Sequence, residues 1–350
     1  AGLTPAVFLF PKPMIIVLKP KITKKDEAAV LKEIKRLGYK PHVMRGVAHT
    51  VVGAIGDERT HRTLEVLASW PQVESVIPVQ KRHKLVSREA HKANSTVNAR
   101  GVVIGGKKFQ VMAGPCSVES EKQLMATAHA VKKAGATILR GGAFKPRTSP
   151  YEFQGLGEKG LKLLAKARKE TGLPIITELL SEQHAELVAE YADILQIGTR
   201  NAQNFQLLIA AAKTGKPVLL KRGLSMKMEE WLLAGEYILA NENPNLMFCE
   251  RGVRTFETYT RNLLDLGAIP ILKKESHCPV VIDPSQGAGR ADLVAAMCKG
   301  AVAMGADALL IEVHPNPAEA WSDGAQQLTI EGFAKLMEEL KPFIAAAGRE

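Results

Sequence analysis

Short apolar runs recur eight times between residues 109 and 315, and this recurrence constrains the fold more than any other feature of the chain. The runs are FQVMAG (109–114), TILRGG (137–142), PIITEL (174–179), DILQIG (193–198), PVLLKRG (217–223), LMFCERG (246–252), PVVIDPS (279–285) and ALLIEVHP (308–315). Amphipathic stretches such as 120–134, 158–171, 182–190 and 290–304 separate most of them. Strands alternating with helices pair in parallel, and a parallel sheet covered on both faces has strands that read as unbroken apolar runs. Eight such units in about 240 residues have the count and size of a TIM (β/α)8 barrel. A doubly wound sheet would need a glycine-rich phosphate fingerprint after its first strand, and none is present.

Ahead of the barrel the pattern changes. MIIVL (14–18), PHVMR (41–45), TVVGAIG (50–56) and VESVIPV (73–79) read as strands. Helices are expected over 23–37, opened by Thr23 and closed by Gly38, and over 60–70. The order βαββαβ is that of a small ferredoxin-like domain. It spans 14–80, lacks a concentrated polar set, and is expected to bind or regulate. Residues 81–100 are polar and basic and read as a linker, after which 101–350 form the catalytic barrel, entered through a short hairpin at 102–109. Residues 1–13 lack the features of a signal peptide and read as a leader or an appended tail, with Met14 as the original start.

Basic residues outnumber acidic ones by 47 to 36. Residues 1–100 hold 18 basic and 8 acidic residues, so the excess is an N-terminal property. Its charges are scattered and few aromatics accompany them, which argues against nucleic acid. Runs such as ALLI (308–311) fall far short of the ~20 residues that cross a bilayer, so no membrane partner is expected. Cys116, Cys249, Cys278 and Cys298 are dispersed without a CxxC pair, as in a reduced, cytoplasmic chain.

Chemistry concentrates just after the apolar runs, the positions that face one mouth of a TIM barrel. Arg140 ends the second run and Lys145-Pro146-Arg147-Thr148 follow it; Arg200, Lys221 and Arg251 follow the fourth, fifth and sixth. Six cations at equivalent points need anions, since burying them unpaired is very unfavourable. Phosphates or carboxylates held by arginine forks would satisfy them. Cys116 after the first run, Glu312 in the eighth and Asp323 beyond it form a set suited to a divalent transition metal. His277 and His314 read as structural or outlying histidines. The residues alone leave three reactions open: attack of a phosphorylated three-carbon acid on a metal-polarised aldehyde, sugar-phosphate isomerisation, or a Schiff-base aldol reaction through Lys221.

The segments AGPCSVES (113–120), LRGGAFKPRTSPYEFQGLGEKG (139–160), QIGTRNAQNF (196–205), LLKRG (219–223), CERGVRTFE (249–257), IDPS (282–285) and IEVHPNPAEAWSDGAQ (311–326) resemble 3-deoxy-D-arabino-heptulosonate 7-phosphate (DAHP) synthases, in their short form with an N-terminal ferredoxin-like domain. The resemblance covers Met14 to the C-terminus. It implies condensation of phosphoenolpyruvate with erythrose 4-phosphate, the first step toward aromatic amino acids. It implies that Arg140, Lys145, Arg200, Lys221 and Arg251 bind phosphoenolpyruvate, and that Lys145, Pro146, Arg147 and Thr148 bind the aldehyde. Lys221 and Lys145 would then be the catalytic cations, with Lys221 electrostatic or proton-transferring. It also implies a divalent ion such as manganese, tyrosine or phenylalanine as feedback effector, and a homo-oligomer, dimer or tetramer. The family's metal set is Cys, His, Glu and Asp, whereas Gln286 follows Asp283-Pro284-Ser285 here, so Cys116, Glu312, Asp323 and Gln286 are the expected set and reduced metal affinity is expected. Two alternatives stand beside this reading. One is a weakened paralogue serving regulation or assembly; the other is the related 3-deoxy-octulosonate 8-phosphate synthase, which uses arabinose 5-phosphate and is expected to carry a KANR-type segment where KPRT stands.

Overall fold

Chain contacts divide the protein into two compact units, Ala1–Arg82 and His83–Glu350. The computed structural model describes residues 14–20, 22–46, 49–56, 64–78 and 83–350. In the first unit β1 (Met14–Leu18), α1 (Lys24–Arg36), β2 (Lys40–Arg45), β3 (Thr50–Ile55) and β4 (Val73–Pro78) follow in order. The sheet runs β2-β3-β1-β4, with β1 antiparallel to both neighbours. Alternation along β1 buries Met14, Ile16 and Leu18 against Val30 and Ile34 of α1. That helix starts with a capping box: Thr23 Oγ1 accepts from Asp26 N, and the Asp26 carboxylate accepts from Thr23 N, each at 3.1 Å. The second helix differs in type from the expectation. It is a 3-10 segment over Leu64–Ser69, and the start expected at Thr60 lies outside the described residues. A 3-10 turn stacks residues i and i+3, which sends Leu64 and Leu67 together into the core.

In the second unit a hairpin of β5 (Val97–Ala99) and β6 (Val102–Ile104) precedes the barrel; the expected hairpin at 102–109 supplies only its second strand. Val97, Ala99 and Ile104 cluster with Met112, Ile138, Ile176, Leu219 and Leu310 from the barrel strands. Residues from His83 onward are therefore packed rather than free: the Glu236 carboxylate accepts from the backbone N–H groups of Lys84, Leu85 and Val86 at 2.8–3.0 Å.

Eight parallel strands close the barrel: β7 (Gln110–Gly114), β8 (Ile138–Arg140), β9 (Ile175–Leu179), β10 (Ile194–Ile197), β11 (Val218–Lys221), β12 (Leu246–Glu250), β13 (Val280–Ile282) and β14 (Ala308–Glu312). Closure comes from β14 pairing with β7, Glu312 opposite Gly114. The surrounding helices are α2 (Glu121–Lys133), α3 (Glu158–Thr171), α4 (Ala185–Tyr191), α5 (Phe205–Lys213), α6 (Met228–Leu239), α7 (Ala268–Glu275), α8 (Pro284–Ala288), α9 (Ala291–Ala303) and α10 (Ile330–Ala346). Their apolar stripes pack on the outward side chains of the strands, such as Leu139, Ile175, Leu195, Leu220 and Leu309. Among the described residues no helix is long and apolar enough to cross a membrane.

Candidate active site

Strand ends deliver the expected side chains to one cavity. It is lined by Arg140, Lys145, Pro146, Arg147, Thr148, Arg200, Lys221 and Arg251, so all eight residues of the expected substrate set share it. Close backbone approaches make this convergence possible. A Cβ at Gly114 would lie 2.1 Å from the Arg140 carbonyl oxygen, so only glycine lets β7 end against β8. A Cβ at Gly142 would lie 2.7 Å from the Cys116 carbonyl and 2.9 Å from the Lys145 stem, so glycine there lets Lys145 fold back over Cys116.

Two of the cations are tied to buried carboxylates. Arg140 Nη1 donates to Glu312 Oε1 at 2.7 Å, and Lys221 Nζ donates to Asp283 Oδ2 at 2.5 Å. Among the described residues Arg251 has no such partner. It is 6% exposed, and its two bonds go to neutral oxygens, Gln286 Oε1 at 3.1 Å and the Gly252 carbonyl at 3.5 Å. Burial depresses its pKa, and the more distant Asp283 only partly offsets that. Arg140 Nε, also buried, has no hydrogen-bond partner among the described residues. A buried guanidinium with spare donors is a receptor for an anion. Arg147 pairs with Glu152 at 3.0 Å, and Arg200 is exposed at the cavity rim.

Cys116, Glu312 and Asp323 bring one ligand atom each to within 4.8 Å of one another. Lys145 Nζ is 3.0 Å from Cys116 Sγ, and Sγ is 3.4 Å from Asp323 Oδ2. Burial, then Glu312, push the Cys116 thiol up to about 11. Burial would likewise raise Glu312, but Arg140 and Lys145 outweigh it and hold the carboxyl at about 2. One thiol and two carboxylates, converging and held by neighbouring cations, fit a divalent ion, and ligation would release the thiol proton. Gln286 reaches the same group with its nitrogen: Nε2 donates to Glu312 Oε1 at 3.0 Å and to Asp323 Oδ2 at 3.2 Å.

The histidines lie apart from this chemistry. His277 bonds the Leu85 carbonyl and Ser95, and His314 bonds Glu119, whose other oxygen accepts from Trp321 N. Sequence reasoning missed Glu178, Gln196 and Arg261 in the lining. Glu178 sits at the end of β9, so the strand-end rule could have found it. Arg261 lies in the long loop after β12 and carries no such mark. Its Nη1 reaches Gln326 at 3.0 Å, Gln286 at 3.3 Å and Asp323 at 3.4 Å.

Comparison with known proteins agrees with this geometry. Residues 83–346 match the DAHP synthetase I family, and residues 14–81 match the DAHP synthase ferredoxin-like domain. A phospho-2-dehydro-3-deoxyheptonate aldolase of Thermotoga maritima is 49% identical over 335 residues, which is 96% of this chain and 99% of that protein. The crystal structure of the Thermotoga maritima DAHP synthase superposes with a TM-score of 0.91 at 48% identity, over 97% of this chain and 99% of that one. A 2-dehydro-3-deoxyphosphooctonate aldolase of Caulobacter vibrioides is 33% identical over 67% of this chain and 87% of its own length. With both of its units matched and its barrel mouth ringed by these cations, the chain belongs to the DAHP synthetase I family.

Proposed function

We propose that the protein condenses phosphoenolpyruvate with erythrose 4-phosphate to give DAHP and phosphate, consuming one water. The observation that carries this reading is one cavity holding six strand-end cations beside the Cys116–Glu312–Asp323 group, in a chain 49% identical to a heptonate aldolase over 96% of its length. Arg140, Lys145, Arg200, Lys221 and Arg251 bind the phosphate and carboxylate of phosphoenolpyruvate. Arg251, which meets only neutral oxygens, and the Nε of Arg140, which the pairing with Glu312 leaves unused, gain most. Arg147 and Thr148, further out, take the phosphate of the aldehyde.

The methylene carbon of phosphoenolpyruvate attacks the aldehyde carbon and forms the new carbon–carbon bond. Water adds to the enol carbon, whose bond to the phosphate oxygen then breaks. Cys116, Glu312 and Asp323 would hold a divalent metal such as manganese, which supplies Lewis-acid polarisation of the aldehyde oxygen. Lys145, whose ammonium is lowered by burial but raised further by Cys116 and Glu312, stays charged and faces the oxygen that becomes an alkoxide. Lys221 is ion-paired to Asp283 rather than a free amine, which favours an electrostatic or proton-transfer role over Schiff-base chemistry.

We assign 14–80 to a regulatory domain, 81–100 to a connecting segment that is packed on the barrel from His83 onward, and 101–350 to the catalytic barrel of a cytoplasmic homo-oligomer. The ferredoxin-like domain is the candidate site for tyrosine or phenylalanine, acting by population shift. The primary test is phosphoenolpyruvate consumption by the full chain, with erythrose 4-phosphate or arabinose 5-phosphate, with and without manganese, and with either amino acid at millimolar concentration. Consumption with erythrose 4-phosphate alone is expected. Preference for arabinose 5-phosphate would overturn the substrate assignment, and inactivity with both would favour the regulatory paralogue. Indifference to both amino acids would overturn the effector assignment.

A further inference from the structure

Gln286 uses every hydrogen-bonding position of its carboxamide, and in only one sense. Its two amide hydrogens go to two carboxylates, Glu312 at 3.0 Å and Asp323 at 3.2 Å. Its oxygen accepts from two guanidinium groups, Arg251 at 3.1 Å and Arg261 at 3.3 Å. Turning the amide over would set N–H groups against arginines and an oxygen against carboxylates, so four attractions would become four repulsions. The backbone is anchored as well, with Gln286 N donating to Asp283 Oδ1 at 2.9 Å at the start of α8. An amide ligates a metal through its oxygen, and that oxygen faces away from the carboxylates. What lies between Glu312 and Asp323 is the positive end of the amide dipole.

We propose that Gln286 is an internal stand-in for the cation: it bridges Glu312 and Asp323, is held there by Arg251 and Arg261, and must be displaced for a divalent metal to enter. It is a positioning residue and not a ligand, and this inference rests on reading Cys116, Glu312 and Asp323 as a metal group. The arrangement links the two halves of the site. An anion that engages Arg251 removes one of the two donors holding the amide oxygen, so the amide releases the carboxylates more easily. Metal entry, by displacing the amide, frees Arg251 for the anion. Coupling of this kind is reciprocal by linkage.

The experiment titrates manganese into the full-length protein and reads free manganese by electron paramagnetic resonance, with and without phosphoenolpyruvate. Wild type is compared with Gln286→Leu, which keeps bulk but neither donates nor ligates, and with Gln286→Ala, which keeps the comparison open should leucine overpack. Near-ultraviolet circular dichroism checks that each is folded. Without phosphoenolpyruvate the variants should bind manganese roughly five- to twentyfold more tightly, because no charge-assisted amide bonds have to be broken. Phosphoenolpyruvate should tighten manganese binding by a larger factor in wild type than in the variants, where only direct attraction remains. Weaker manganese binding by the variants would make Gln286 a ligand, and unchanged binding a bystander; either overturns the proposal. An equal phosphoenolpyruvate effect in all three proteins would overturn the link through Arg251. Wild-type binding without a gain in the variants sinks the stand-in alone, whereas no binding by any of the three sinks the metal reading along with it.

Discussion

The two ends of the barrel treat buried charge in opposite ways. Where helices return to strands, Asp307 and Glu236 are each closed by their neighbours. Asp307 accepts from Lys273, Arg349 and Val280 N, and Glu236 accepts from three successive backbone N–H groups. At the mouth seven cations line the cavity against three carboxylates, Arg251 meets only neutral oxygens, and Arg140 Nε meets nothing. Closed charges hold the fold together; open ones wait for a ligand. The difference is one of satisfaction rather than of residue type, since arginines and carboxylates occur at both ends.

Asp307→Ala should break this contrast from the structural side. It strips Lys273, Arg349 and the Val280 N–H of their acceptor at once, and should cost about 3 kcal/mol of stability by urea unfolding. The folded fraction should keep its kinetic constants, and a fall in kcat/KM at equal folded fraction would show that the far end is not purely structural. Arg251→Ala tests the open side. With no carboxylate left behind, stability should hold or rise slightly, while kcat/KM for phosphoenolpyruvate falls by about 2–3 kcal/mol, the loss of a charge-assisted contact. Destabilisation as large as that of Asp307→Ala would erase the distinction.

Smaller effects sharpen it. Arg147 lies toward the outside and already has Glu152 as a partner, so Arg147→Ala should cost about 1.5 kcal/mol, chiefly in KM for the aldehyde. Equal losses for both substrates would merge the two anion positions into one. The smallest effect expected is at His277. Burial first, despite its bond to the Leu85 carbonyl, lowers its pKa from 6.5, so the unfolded chain binds the proton more readily. Its contribution is therefore fully present above pH 6.5 and is lost as pH falls from there through the lower folded value. The urea midpoint should decline over that window, and more shallowly in His277→Gln; identical slopes would remove His277 as the cause.

Much of the site was legible because a barrel strand announces its own end. Arg140, Lys221 and Arg251 each follow an apolar run directly, and the same rule led to Cys116 and Glu312. Glu178 obeys the rule too, but a single carboxylate near a strand end has no partner pattern in the linear sequence to mark it. Arg261 obeys no strand rule, since a long loop places it. Gln286 could be flagged by its position after Asp283-Pro284-Ser285, but not oriented. Which way an amide points depends on partners up to 37 residues away in sequence.

The apolar period and the motifs around the mouth determine, without any structure, an eight-stranded barrel behind a ferredoxin-like domain and the chemistry its mouth gathers. Which of those charges are spoken for was settled only by barrel closure. Arg140 meets Glu312 across 172 residues of chain because β14 closes on β7, beside β8, and Lys221 meets Asp283 across 62. Arg251, with the same residue type and the same strand-end position, meets neither carboxylate. Ion pairing is decided at distances of a few ångströms, and a linear pattern specifies which face a side chain joins but not which neighbour it finds there.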